Sequence, residues 1–265
     1  MICNQQKRTS MSHSKIHHIL VSFLLLSVLS SAAKAQLITG KITSNTFAFF
    51  ETTSASLVVE GVSSPYRMGA IGAEIHIPVL DKYKLSAGFG YGYAPNQLVS
   101  FSEANFKGDI SSIYTRLGVE RDLFRPSKTT DVSVLFDIEA REVSGESLIG
   151  SRRGTALNGS LQSKLKSQNL MIKASKSLLK QDFEISVGFG LSKWNFSGKG
   201  KAQQPSGISE INKTAKANGI DPFAELNLHL IKNNFEYDLG IRRSRISADD
   251  LVWLNRLSFS ISKNF

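Results

Sequence analysis

The sequence predicts an all-β protein: an antiparallel up-and-down transmembrane β-barrel of about ten strands, preceded by a cleaved signal peptide. Three observations carry this. Apolar residues recur at every second position over much of the chain, the period of a strand with two unlike faces. Beyond an N-terminal leader, no stretch approaches the roughly 20 apolar residues of a membrane-spanning helix. A chain that enters a membrane without such a helix satisfies its backbone polar groups only as a closed barrel.

Residues 1–35 have the three-part layout of a secretory signal. Lys7, Arg8 and Lys15 make a basic start, 19–29 is an apolar run of 11 residues, and Ala33-Lys34-Ala35 places small residues before a cut at Gln36. Without Lys7, Arg8, Lys15 and Lys34, the 32 basic residues fall to 28 against 22 acids, a net charge of +6. The single cysteine, Cys3, leaves with the leader, so the mature chain has no intramolecular disulfide and no thiolate metal site. Residues 36–53 are expected as a lead-in or an extension of the first strand, and 54–265 as one barrel domain.

The strands follow in order. A first one is expected near 55–62. In 69–79, Ile71, Ala73, Ile75, Ile77 and Val79 share a face opposite Glu74 and His76. In 84–93, Leu85, Ala87, Phe89, Tyr91 and Tyr93 oppose Ser86, Gly88, Gly90 and Gly92, and the pattern returns at 184–191 with Gly188 and Gly190. Further strands read at 113–121, 132–143, 170–177, 222–231, 235–246 and 251–265. Short connections near 80–83, 122–130, 178–182 and 232–234 alternate with long ones near 94–110, 144–169 and 197–221, the pattern of periplasmic turns and extracellular loops. An eight-strand barrel is the alternative, reached if two weak end strands are misread. Residues 161–179 also fit an amphipathic helix through Leu161, Leu165, Ile172 and Leu179, with a strand preceded by a loop preferred, and 206–219 reads as a short helix.

With apolar faces on lipid, the other faces define the lumen: Glu74, Arg116, Glu120, Asp137, Glu139, Arg141, Lys173, Glu184, Glu225, Asp238 and Arg242. Mixed acids and bases in a confined space are expected to pair. A barrel this small is filled by side chains, with Gly88, Gly90, Gly92, Gly188 and Gly190 making room for Arg, Tyr and Glu from facing strands. Two long loops are net positive through Arg152, Arg153, Lys164 and Lys166, and through Lys199, Lys201, Lys213 and Lys216. Tyr91, Tyr93, Trp194, Phe196 and Trp253 are expected at the outer membrane interface, and Phe183, Phe235 and Phe265 at the inner one.

The last strand sets Leu257, Phe259, Ile261 and Phe265 on one face and Ser258, Ser260, Ser262 and Asn264 on the other, and stops on an aromatic. This resembles the C-terminal insertion signal of small bacterial outer-membrane β-barrel proteins, the porin-like and opacity-type superfamily; Lys263, where an apolar residue is usual, departs from it. The resemblance implies outer-membrane residence with both termini periplasmic. It also implies contact with the barrel-assembly machinery during biogenesis, and with outer-membrane lipid and lipopolysaccharide afterwards.

Chemistry is sparse. The mature chain has only His76 and His229, both placed near periplasmic strand ends and facing inward, so the outer-loop acids Asp249 and Asp250 have no histidine partner for hydrolysis. No catalytic, metal or cofactor site is expected, and nucleic acid is not an expected partner. The first expectation is a non-enzymatic barrel with basic loops serving envelope integrity, adhesion or contact with an anionic surface polymer. The alternatives are a narrow channel or transporter for small solutes, and a secreted soluble ligand-binding β-barrel.

Overall fold

The computed structural model describes residues 45–265, apart from 55, 66–67, 80–81, 179–181, 208–209, 250 and 264–265. The predicted leader and Phe265 lie outside the described residues. Twelve strands form one antiparallel sheet: β1 (Asn45–Ser54), β2 (Ser56–Val59), β3 (Val62–Pro65), β4 (Met68–Val79), β5 (Tyr83–Phe101), β6 (Ala104–Ser127), β7 (Thr130–Arg152), β8 (Thr155–Leu178), β9 (Phe183–Gln203), β10 (Glu210–Lys232), β11 (Phe235–Ser247) and β12 (Leu251–Lys263). Ten of them close a ring in the order β1-β4-β5-β6-β7-β8-β9-β10-β11-β12 and back to β1. Closure runs from Phe47 opposite Ser262 to Ser54 opposite Asn255, which leaves the ring no edge at this level.

The predicted first strand near 55–62 is corrected. The first stave is β1, and 56–65 is a hairpin of two four-residue strands, turned by Glu60 and Gly61 with positive φ at both positions. Its side chains are not a barrel wall. Leu57, Val59, Val62 and Ser64 are fully buried, and Ser64 Oγ lies 2.5 Å from Ser163 Oγ on the inner face of β8. The short apolar run had the length and alternation of a stave, but its Leu57, Val59 and Val62 face is buried in the protein interior.

The long loops expected at 94–110, 144–169 and 197–221 are largely strand, interrupted by turns at 102–103 and 153–154 and after Gln203; 161–178 is strand and so, from Glu210 on, is the expected helix at 206–219. Strands β5 to β10 have 19 to 24 residues, whereas β1, β4, β11 and β12 have 10 to 13. A tilted strand crosses the hydrocarbon in about 9–11 residues, so the short four just span it and the long six overshoot by about ten. Tight turns at Ser102-Glu103 and Arg153-Gly154, all four residues at positive φ, close two of the tall hairpins. One rim, the terminal rim, carries the ends of β1 and β12; the opposite tall end carries these extensions.

Along β8 the period of two persists but its polarity inverts. On β8 the outward face reads Gln162, Lys164, Lys166 and Gln168, then Leu170, Ile172 and Ala174, while the inward face reads Leu157, Leu161 and Leu165, then Ser167, Asn169, Met171 and Lys173. Lipid outside and charge inside give way to water outside and an apolar interior. Ile71, Leu117, Ile172, Phe189 and Ile241 are among the exposed apolar residues of the belt. The tall interior is a core of Leu57, Val59, Val62, Phe101, Phe106, Leu161, Trp194 and Phe196, among others. Trp194 and Phe196 are thus 1% and 3% exposed, not at the membrane interface as expected; the parity of β9 puts Leu191 and Lys193 outside and Trp194 inside.

Phe101 stacks on Phe106 with centroids 4.3 Å apart at 11°. Phe101→Ala is expected to cost about 3–5 kcal/mol, read as a lowered urea midpoint in lipid vesicles. Leu98→Ala, 68% exposed on the same strand, is expected to cost under about 1 kcal/mol.

Candidate functional site

The lumen within the belt is a charged core. Glu51 on β1, Glu74 on β4, Asp137 and Glu139 on β7 and Glu225 on β10 face Arg116 on β6, Arg141 on β7, Arg242 on β11 and Arg256 on β12. Glu139 is the hub. Arg242 Nη1 donates to its Oε1 at 2.8 Å, Arg256 Nη2 to its Oε2 at 2.6 Å, and Arg116 Nε lies 3.7 Å away. Asp137 accepts from Arg116 at 3.1 Å and from Asn169 at 2.5 Å. Arg141 reaches across the barrel to Glu51 and Thr53. The buried ring of Tyr114 lies under both Arg141 and Arg256, at 5.2 and 5.4 Å. Five carboxylates against four guanidiniums leave little uncompensated charge, which is what allows them to be buried at all.

Nearer the terminal rim the pairs are smaller. Lys173 Nζ lies 2.5 Å from Glu120, which also accepts from Ser133 Oγ, and His229 Nδ1 lies 2.7 Å from Asp238. Glu184 stands opposite His229 in the β9–β10 register. His76 contacts Glu74 at 3.0 Å and packs on Phe47. Asp249, at the β11–β12 turn, accepts the backbone N–H of Glu60 and so pins the hairpin tip.

The lumen glycines make room for a mixture of groups. A Cβ on Gly90 would fall 2.9 Å from the Phe49 ring, on Gly188 2.3 Å from the Met171 sulfur and on Gly190 2.8 Å from Phe223. Aromatic and thioether groups take that space at 90, 188 and 190, while Gly88 faces the Glu74 side chain, 3.5 Å from where its Cβ would stand. Three members of the charged core, Glu51, Tyr114 and Arg256, were absent from the sequence expectation. Arg256 shares parity with Ser258, Ser260 and Ser262, a signal that finds it; Glu51 is missed because 36–53 reads equally as a lead-in and as an extension of the first strand, so its faces are not assigned.

The basic residues expected in loops stand on strands, apart from Arg153 in the β7–β8 turn. Lys164 and Lys166 on β8, Lys193, Lys199 and Lys201 on β9 and Lys216 on β10 point outward above the belt, while Lys213 shares the inward parity of Ala215 and Ala217. Lys164, Ser197 and Lys216 share one register row, with Gln162, Lys199 and Thr214 in the row above. Glu142 on β7 pairs with Lys164, and Arg152 with Glu103 at 3.2 Å. On β5 and β6, above the belt, Tyr93 O–H donates to Asp109 at 2.6 Å and the Asn96 N–H at 3.1 Å, holding this carboxyl below its usual range.

No protein-family model matches the chain, and no curated protein sequence does. Solved structures match by shape. The outer membrane protease OmpT of Escherichia coli superposes with a TM-score of 0.55 at 10% identity, over 84% of this chain and 95% of its own. The translocator domain of the autotransporter NalP of Neisseria meningitidis does so with a TM-score of 0.50 at 12% identity, over 95% of this chain and 97% of its own. The likeness is one of fold: this chain is an outer-membrane-type β-barrel.

Glu139→Gln leaves Arg242 and Arg256 buried with a weaker acceptor, and is expected to lower stability by about 3 kcal/mol. Adding Arg242→Met is expected to cost less than the sum of the two single changes, measured by urea unfolding in lipid vesicles.

Proposed function

We propose that this chain is a non-enzymatic, non-conducting barrel of the bacterial outer membrane that works through the protein surface standing above the lipid, in envelope integrity, adhesion or surface contact. The observation that carries this is the lumen, occupied at two levels: the ion cluster around Glu139 inside the belt, and the β2–β3 hairpin with its apolar core in the tall end. Ions and solutes crossing such a barrel would have to displace buried ion pairs and then a packed core, a cost that disfavours passage.

The strand lengths support one orientation. Chain ends and short turns belong in the periplasm and the overshooting strands outside. Lys166 and Lys193 then lie in the first rows above the belt, at the level of the phosphates of the outer leaflet, and pair with lipopolysaccharide headgroups. The β12 strand delivers the chain to the barrel-assembly machinery. A hydrolytic role has little support, because His76 and His229 lie toward the terminal rim and each is engaged by a carboxylate.

Purified protein reconstituted into planar bilayers is expected to give no steady conductance steps. A stable ohmic step from pure protein would refute the filled-lumen reading and favour a narrow channel.

A further inference from the structure

Among the described residues, the tall end is not a closed ring. Strand β10 pairs with β9 without a register shift from Glu210 opposite Gln203 to Leu230 opposite Phe183, but with β11 only from Phe223 opposite Ser244 downward. The break is chemical. Pro222 has no N–H to offer a ladder, and the Asp221 carboxylate takes both the backbone N–H and the Oγ of Ser247, at 2.7 and 2.8 Å, where a backbone pair would otherwise continue. From 211 to 221, β10 therefore has one side in the β9 ladder and, among the described residues, no strand on the other.

The chain's own hairpin does not fill that edge. Strand β3 pairs with β2 and, at Val62 opposite Phe101, with β5; the hairpin lies near β10 but pairs with no described residue of it. The opposite flank of the notch is unlike it. On β5 the edge is broken by the register shift between Ala94 and Gln97, with Asn96 at positive φ. The β10 edge is straight and regular, the form that templates an added strand.

Its charge selects the occupant. Residues 211–220 carry Lys213 and Lys216 and no acid, and the facing stretch of β9, 193–203, carries Lys193, Lys199 and Lys201 and no acid. The acids at the floor of the notch are already engaged: Asp221 by Trp194, Ser247 and Arg245, and Asp249 by Glu60 N–H. A second copy of this chain would bring lysines against lysines. We propose that the outer edge of β10 captures an extended acidic segment of another polypeptide, of about eight to ten residues, by strand addition. This rests on the reading above that the tall end is the working surface; whether the barrel conducts does not enter.

The test uses the full mature protein in lipid nanodiscs and a fluorescein-labelled ten-residue peptide of alternating Asp and Thr, followed by anisotropy. The Asp-Thr peptide is expected to bind. The same peptide N-methylated at every second backbone nitrogen, and a Lys-Thr peptide, are expected to bind at least tenfold more weakly. Lys213→Glu with Lys216→Glu, shown to be folded by heat-modifiable gel migration, is expected to weaken the Asp-Thr peptide at least tenfold and to gain the Lys-Thr peptide. Absence of binding overturns the proposal. So does equal binding of the N-methylated peptide, which would mean general anion capture by the lysine flank, or the appearance of barrel dimers cross-linked through β10.

Discussion

Glu139 holds the two far walls of the barrel together. It sits on β7 and accepts charge-assisted bonds from Arg242 on β11 and Arg256 on β12, partners 103 and 117 residues away in the chain. Such bonds are short and directional, so they fix how β11 and β12 face β6 and β7, and with them the register of the closing strands. The rest of the inner face is shaped to this cluster. Tyr114 lies under Arg141 and Arg256, Arg242 covers the Phe223 ring at 4.1 Å, and Gly190 vacates the space that Phe223 occupies. An ion cluster of this kind contributes less to raw stability than to a single arrangement of staves, since any other register strands a buried charge.

Above the cluster, the constraint changes with the solvent. Once β5 to β10 leave the lipid their outer faces meet water and carry Lys, Gln, Asn and Ser beside single apolar residues such as Leu98 and Ile149, while the enclosed volume fills with Leu, Phe and Trp as in a soluble barrel. Four short strands on one side leave this upper storey incomplete, and the hairpin between β1 and β4 occupies its interior. Its tip is tied down at Asp249 and its flank at Ser163. The same geometry that fills the lumen exposes the straight edge of β10, so the plug and the notch are two consequences of unequal strand length.

Much of this was legible in the sequence, and each failure has a physical cause. Alternation located nine of the ten staves, and the parity of Glu74, Arg116, Asp137, Glu139, Glu225 and Arg242 placed them in the lumen. Where polarity inverted, the same period was misread. Gln162-Ser163-Lys164-Leu165-Lys166 has alternating faces, but its apolar side is sparse and its outer side charged, so it resembled a loop or, through Leu161 and Leu165, a helix. Both residues share a face at a spacing of four in a strand as well as in a helix. The hairpin carried the opposite ambiguity: Leu57, Val58, Val59 and Val62 looked like a lipid-facing stave because a buried plug and a membrane strand are equally apolar. Nothing local in Asp221-Pro222 announces a free edge; it needs the register of β9 and β11 on either side.

The account stands most directly on the inversion of polarity along β8, which single-cysteine nitroxide labels can read because the chain beyond Cys3 has no cysteine of its own. With labels placed one at a time along 157–174 in lipid vesicles, collision with oxygen is expected to be high at 170, 172 and 174. Collision with a water-soluble nickel chelate is expected to be high at 162, 164 and 166, and both should be low at 157, 161 and 165. A nickel-accessible outer face along the whole strand, with no oxygen-rich band, would contradict the membrane-spanning barrel on which everything else depends.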